Sequence, residues 1–183
     1  MTEQLRPTAN TAVTPEKLTV GDHVFHPDHG VAKVAAIEGR VVGEQQMEFY
    51  VLELAAGGRL LQPTDKLPDS GIRSLVTAAQ ARTLLAEVTT EPKLDEDNLR
   101  DRTDRYGEAL RTGNAEAYAQ VLRQLLFRSR GAGLKAAEQR LMAQARGYFV
   151  REIGTVLDKT PAQLDELLQA ALHAPAGNGA APA

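Results

Sequence analysis

The stretch Leu18–Val34, LTVGDHVFHPDHGVAKV, decides how the first third of the chain folds. Val20, Val24 and Val31 are β-branched and Phe25 is aromatic, residue types that suit a pleated, half-buried surface. Gly21-Asp22 and Pro27-Asp28-His29-Gly30 carry turn chemistry: Pro presets φ, Asp bonds its own backbone, and Gly accepts positive φ. The stretch therefore predicts strand, tight turn, strand, the way small SH3-like or Tudor-like β-barrels often begin.

Working outward, strand signals fall at His23–His26, Val31–Arg40, Met47–Leu54 and Arg59–Gln62. Gly43-Glu44-Gln45 and Ala56-Gly57-Gly58 break them like hairpin loops. Strands this short predict a small antiparallel sheet or partial barrel with Phe49, Val51, Leu54 and Leu60 in its core. Pro63 and Pro68 close the β region, because Pro donates nothing to a ladder.

From Thr77 the period becomes helical. Thr77 to Gln80 has capping-box spacing, with Ala81, Leu84, Leu85 and Val88 following at helical intervals. A linker is expected near 89–94, and a second helix from Asp95-Glu96-Asp97 to before Gly113, its acids facing the positive helix start. Asn114 caps a third helix to about Arg128, and Gly131-Ala132-Gly133 stops it. A fourth helix is predicted over Lys135–Leu157, and Thr160 to Gln163 caps a short fifth. The fold class expected is α+β in two domains: a Tudor/SH3-like antiparallel β-barrel over 17–76 and a helical bundle over 77–173. Residues 1–16 and 174–183 are expected to be disordered tails.

Composition narrows the function. At 43% hydrophobic and 25% charged, the chain has enough apolar material for packed cores. It has no Cys, which removes disulfides and thiolate metal sites and suits a reducing cytoplasm. No segment approaches the roughly 20 apolar residues of a membrane span, and Met1–Glu16 lacks the apolar run of a signal peptide. The net charge of −3 hides an asymmetry. Between Arg123 and Arg151, Arg123, Arg128, Arg130, Lys135, Arg140, Arg146 and Arg151 face a single acid, Glu138. Two helices packed antiparallel would set several of these cations on one rim. Such a rim neutralises phosphates with little base readout. The alternative is a solvated helix face.

Catalysis and metal binding find little support. The nucleotide-binding, metalloprotease and nucleophile-elbow motifs are missing from the sequence. His23 and His26, three apart on a strand, point to opposite faces and do not make a ligand pair with His29. Neither an enzyme nor a cofactor or metal site is expected.

The run Val20-Gly21-Asp22-His23-Val24-Phe25-His26-Pro27-Asp28-His29-Gly30 resembles the opening of the CarD/CdnL family of bacterial transcription regulators. It also resembles the polymerase-interacting module of the transcription-repair coupling factor. The likeness extends through Ala36-Ile37-Glu38, Tyr50–Leu54, Pro63 and Gly71-Ile72-Arg73, and more weakly to about Asp158. It implies a β domain that docks on the RNA polymerase β subunit. It also implies a helical domain that contacts promoter DNA at the upstream edge of the bubble and stabilises the open complex. Arg40 matches a family arginine that contacts polymerase; a second falls near Leu61, with Arg59 as its substitute. The family places a wedging Trp where this chain has Leu99, beside Arg100, Arg102 and Arg105; Arg140 and Arg146 match basic positions on a later helix. Asp101 and Asp104 interleave with these arginines. A monomer in the cytoplasm is expected. A competing reading is an adaptor whose helical domain binds another protein. An RNA-binding SH3-like module is disfavoured by Asp22, Asp28, Glu38, Glu44, Glu48 and Glu53 on the β region.

Overall fold

The computed structural model describes residues 15–131 and 133–173. The tails expected at 1–16 and 174–183 lie outside these residues, apart from positions 15 and 16, and so does Ala132 of the expected Gly-Ala-Gly stop. Five strands come first: β1 (His23–His26), β2 (Gly30–Val42), β3 (Gln45–Leu54), β4 (Arg59–Pro63) and β5 (Arg73–Ser74). Five helices follow: α1 (Ala78–Thr89), α2 (Leu99–Arg111), α3 (Ala115–Arg128), α4 (Ala136–Leu157) and α5 (Pro161–His173). The chain is α+β, an antiparallel β half followed by an all-helical half.

The sheet order is β4-β3-β2-β1-β5, every neighbouring pair antiparallel, with β4 and β5 at its two edges. A bulge between Val34 and Ala36 shifts the register of β2 against β3. An extra residue in one strand bends it and increases the local twist. The β core comprises Leu18, Val24, Ala32, Val34, Tyr50, Leu52, Leu67 and Ile72, with Leu54 and Leu60 packed against it. This corrects the expected core. Leu54 and Leu60 pack as expected, but on β3 the cluster takes Tyr50 and Leu52; Phe49 and Val51 point to the other side, where Val51 is nonetheless buried (5% exposed) and Phe49 half-buried. Leu18 N–H closes the core by donating to the Tyr50 hydroxyl at 3.2 Å.

Helix starts follow their caps. The Thr77 side chain accepts from Gln80 N–H while the Gln80 side chain answers the Thr77 backbone. Asn114 accepts from Glu116 and Ala117 N–H groups. The second helix begins later than expected. Asn98 is its N-cap, and Asp95 and Asp97 precede it, bound instead to Arg105.

The strongest departure from two separate halves is their seam. Side chains alternate on β1, so Val24 enters the β core while Phe25 enters the helical core. Phe25 is fully buried and meets Tyr118 and Tyr148 with ring centroids 5.8 and 5.2 Å away. Burying such a ring is worth about 1.5–3 kcal/mol. The Tyr148 hydroxyl donates to the carbonyls of the β1–β2 turn, Pro27 (3.1 Å) and Asp28 (3.3 Å). The turn needs glycine at Gly30, where φ is +75° and a Cβ would lie 3.2 Å from the Tyr148 ring.

Beside this seam Arg73 and Glu152 form a buried bidentate pair, Nη1–Oε1 at 2.7 Å and Nη2–Oε2 at 2.8 Å. Arg73 Nε donates to the Gly113 carbonyl (2.9 Å), and its guanidinium lies 4.1 Å from the centroid of Phe25. Glu152 also accepts from the Tyr118 hydroxyl (2.8 Å) and Val76 N–H (2.9 Å). Burial works against the Arg73 charge, but the Glu152 carboxylate outweighs it and the Arg73 pKa is raised. Burial, and then the Glu152 charge, push the Tyr118 hydroxyl well up. Every polar atom that the seam takes out of water is thus matched, which buried charge requires.

The same turn gives a pH dependence. His26 is buried and its Nδ1 accepts from Asp28 N–H at 3.1 Å, a bond that needs the unprotonated nitrogen. Burial lowers the His26 pKa, His29 beside it lowers it further, and Asp28 pulls the other way. The unfolded chain takes up this proton near its ordinary pKa of about 6.5, before the folded chain does. The stabilisation is therefore full above about pH 6.5 and declines as pH falls below it, by at most about 1.4 kcal/mol per pH unit for one proton. Denaturation midpoints measured from pH 7.5 to 5.5 should fall, and His26→Asn should flatten the decline. Identical slopes for the two proteins would remove His26 as the cause.

Candidate functional site

Two surfaces gather the residues singled out in the sequence. The first lies on the outward side of β2, β3 and β4. Residues directly opposite one another on neighbouring strands share a face. The registers therefore set Ala36, Val51 and Leu61 in one row, and Glu38, Phe49 and Pro63 in the next. Arg40 stands opposite Met47 at one end, and Arg59 opposite Glu53 at the other. A largely apolar stripe, interrupted by Glu38, thus carries an arginine at each end, with Lys33 and Glu53 beside Arg59; the two ends are six residues apart along β3, about 20 Å at roughly 3.4 Å per residue. Arg40 bonds Glu38 at 2.8 Å with both side chains about half exposed. Such a surface pair is worth about 0–1 kcal/mol and opens readily to a partner. Beside the stripe runs the unpaired edge of β4, whose backbone groups can extend the sheet onto another strand.

The second surface is the end of the bundle where α2 and α4 begin and α3 finishes. Leu99 is the first residue of α2 and heads the stripe Leu99, Arg102, Tyr106, Leu110 that faces the bundle interior. It stays 40% exposed and lines an open cleft with Leu94, Phe127, Arg128 and Lys135. Arg100 is 90% exposed at its side chain, with Asp104 4.0 Å away. Arg140 is exposed, and neither it nor Lys135 has a carboxylate partner among the described residues.

Several sequence expectations change here. Arg102 is not a surface residue: it is buried, bonded to Glu138 through Nε (3.0 Å) and Nη2 (2.8 Å), and donates to the Asp97 carbonyl through Nη1. It cannot reach a phosphate without breaking that pair. Glu138 is buried too; burial pushes its pKa up, but the Lys135 N–H and the Arg102 guanidinium bring it below the usual range. Arg105 is held by Asp95 (2.5 Å) and Asp97 (2.7 Å), and Arg146 by Asp165 (2.5 Å). The expected continuous basic rim is also broken up. Arg123 donates to the Thr90 carbonyl, Arg128 to that of Asp95, and Arg130 to that of Ala171. These cations strap the irregular segment 90–98 and α5 onto α3. Arg73 and Glu152 were not singled out. Glu152 lies beside Ile153 and one turn after Phe149 on the buried side of α4, and a carboxylate at such a position is itself a sign of a buried partner.

Two family models match the chain, one on each half. Residues 18–76 match the model described as CarD-like/TRCF RID domain, and residues 81–169 match the model described as CarD, C-terminal domain. The chain belongs to the CarD family of transcription regulators. The two matched segments of this CarD-family chain meet at the Phe25–Arg73 seam and carry one candidate surface each. A relative from Bacillus subtilis (strain 168), described as "Putative transcription factor YdeB", is 25% identical over 149 residues, covering 79% of this chain and 95% of its own. Among the described residues, no helix is long and apolar enough to cross a membrane.

Proposed function

We propose that this CarD-family protein docks its β half on the RNA polymerase β subunit and brings the helical half against promoter DNA at the upstream edge of the bubble, favouring the open complex. The observation that carries this reading is the arginine-ended apolar stripe beside the free β4 edge, within the segment that matches the polymerase-interacting domain. Phe49 and Leu61 supply apolar contact, the β4 backbone supplies ladder hydrogen bonds, and Arg40 and Arg59 set the register through carboxylates of the partner. Docking raises the local concentration of the helical half at the promoter, so that half need not bind DNA tightly by itself. Arg100 and Arg140 hold phosphates, with Leu99 at the opened bases. Stabilisation then requires only better contact with open than with closed DNA. The protein works as a monomer in the cytoplasm, with no catalytic step and no cofactor.

Arg40→Glu in the full chain should reduce capture of RNA polymerase at least tenfold while the melting temperature stays within about 1–2 °C, because the side chain is exposed. Undiminished capture would take the stripe out of the interface.

One observation favours a second reading, the protein adaptor. The outer side of α2 carries exposed Asp101 and Asp104, which repel phosphate. A salt series on polymerase–promoter complexes separates the two readings: DNA contact adds a protein-dependent salt slope, and an adaptor adds none.

A further inference from the structure

The cleft at the end of the bundle has a chemistry of its own. It is open, about 340 Å³ in volume, and lies between the start of α2, the end of α3 and the start of α4. That volume sits at the small end of the range of about 300–1,000 Å³ typical of ligand sites. Leu94 and Leu99 form apolar walls, each more than a third exposed, and Phe127 lies at the base with the Arg130 guanidinium 4.5 Å from its ring centroid. Arg102, Arg128 and Lys135 bring three positive charges to the lining, and Glu138 brings one negative charge. The Glu138 carboxylate is fully engaged: Oε1 accepts from Arg102, and Oε2 accepts from the Lys135 N–H at 3.0 Å. Among the described residues neither Arg128 nor Lys135 has a carboxylate within salt-bridge distance, although Arg128 lies near enough to Glu138 to help lower its pKa. Arg128 Nη2 donates to the Asp95 carbonyl, while its buried Nε–H has no acceptor among the described residues.

From this we infer that the cleft binds a single nucleotide, its base against Leu94 and Leu99 and its phosphate toward Lys135 and Arg128. The direction of entry is the reverse of a wedge: a base leaves its stack and enters the protein, rather than a side chain entering the DNA. Stacking or apolar contact of this kind tolerates any base, while the cations fix the phosphate. Apart from Glu138, which Arg102 engages, the acids near the cleft are Asp95, Glu96 and Asp97 just before α2 and Asp101 in its first turn, so the strand approaches from the α4 side. The nucleotide has two sources, an unpaired position in opened DNA or a free mononucleotide. The first source rests on the promoter-contact reading above; the second does not.

The test uses the full chain without polymerase. Three probes are compared by fluorescence: a duplex with one unpaired 2-aminopurine, the same duplex fully paired, and free 2-aminopurine riboside 5′-monophosphate. Binding at least tenfold tighter to the unpaired than to the paired duplex is expected. Lys135→Glu and Leu99→Asp should each reduce it about tenfold, whereas Arg82→Glu, an exposed cation on α1, should not. Saturable binding of the free nucleotide alone, lost in the same two variants, would assign the cleft to a free ligand. Equal affinity for paired and unpaired duplex, with no nucleotide binding, overturns the inference yet leaves backbone contact standing. So does wild-type binding by both cleft variants. Polymerase capture, measured separately, reports on the docking half and is independent of every outcome here.

Discussion

Replacing Glu152 by Ala is expected to cost about 3–5 kcal/mol of folding stability, the usual loss when one member of a buried ion pair is removed. The loss arises from what is left behind. Arg73 would keep a charge out of water with only the Gly113 and Ser74 carbonyls as acceptors, and Tyr118 and Val76 would each lose a partner. Urea unfolding read from the midpoint and slope measures the change. The double variant Arg73→Leu/Glu152→Leu should be less destabilised than the sum of its single changes, because it removes both charges together. Additive losses would mean that the two side chains are not coupled, contrary to their bidentate geometry.

The second large effect is at Arg102. Arg102→Ala should cost about 3 kcal/mol or more, since Glu138 is 2% exposed and loses both of the hydrogen bonds that Arg102 supplies. Arg140→Ala should stay within about 0.5 kcal/mol, as expected of an exposed side chain without a partner. The functional order should be the reverse. Arg140→Ala should shorten open-complex lifetime at unchanged stability, whereas loss of function in Arg102→Ala should track its unfolding and recover with cooling or stabilising osmolyte. A fully folded Arg102→Ala protein with a lost promoter effect would return Arg102 to the DNA-contact set.

Helix caps were the most legible part of the chain. Thr77 with Gln80, Asn114, and Thr160 with Gln163 each act where their types and spacing indicate. The α+β division was legible too, because the apolar period changes once, near Thr77. The phase of β3 was not. Phe49-Tyr50-Val51-Leu52 is an unbroken apolar run, so alternation gives no sign of which pair joins the β core. The basic patch misled for a related reason. A guanidinium reads as surface charge until its carboxylate is located, and Asp95, Asp97, Glu138, Glu152 and Asp165 lie 8 to 79 residues from the arginines they hold. The usable signal was positional. Arg102 lies at helical spacing between Leu99 and Tyr106, and Glu152 among Tyr148, Phe149 and Val156, so both fall on the apolar side of their helices. Arg40 and Arg59 were legible as residues, but their shared face emerges only from the strand registers.

The Phe25 and Arg73 contacts bear on how such a protein changes over time. Neither half owns its interior outright, since β1 finishes the helical core and α4 neutralises a cation supplied by β5. A recombination event that exchanged one half for a foreign counterpart would carry away part of a joint. It would leave an aromatic ring and a guanidinium facing a surface never fitted to them. The halves are tied through this shared interior, and the reach from the arginine-ended stripe to the cleft is a property of the whole chain.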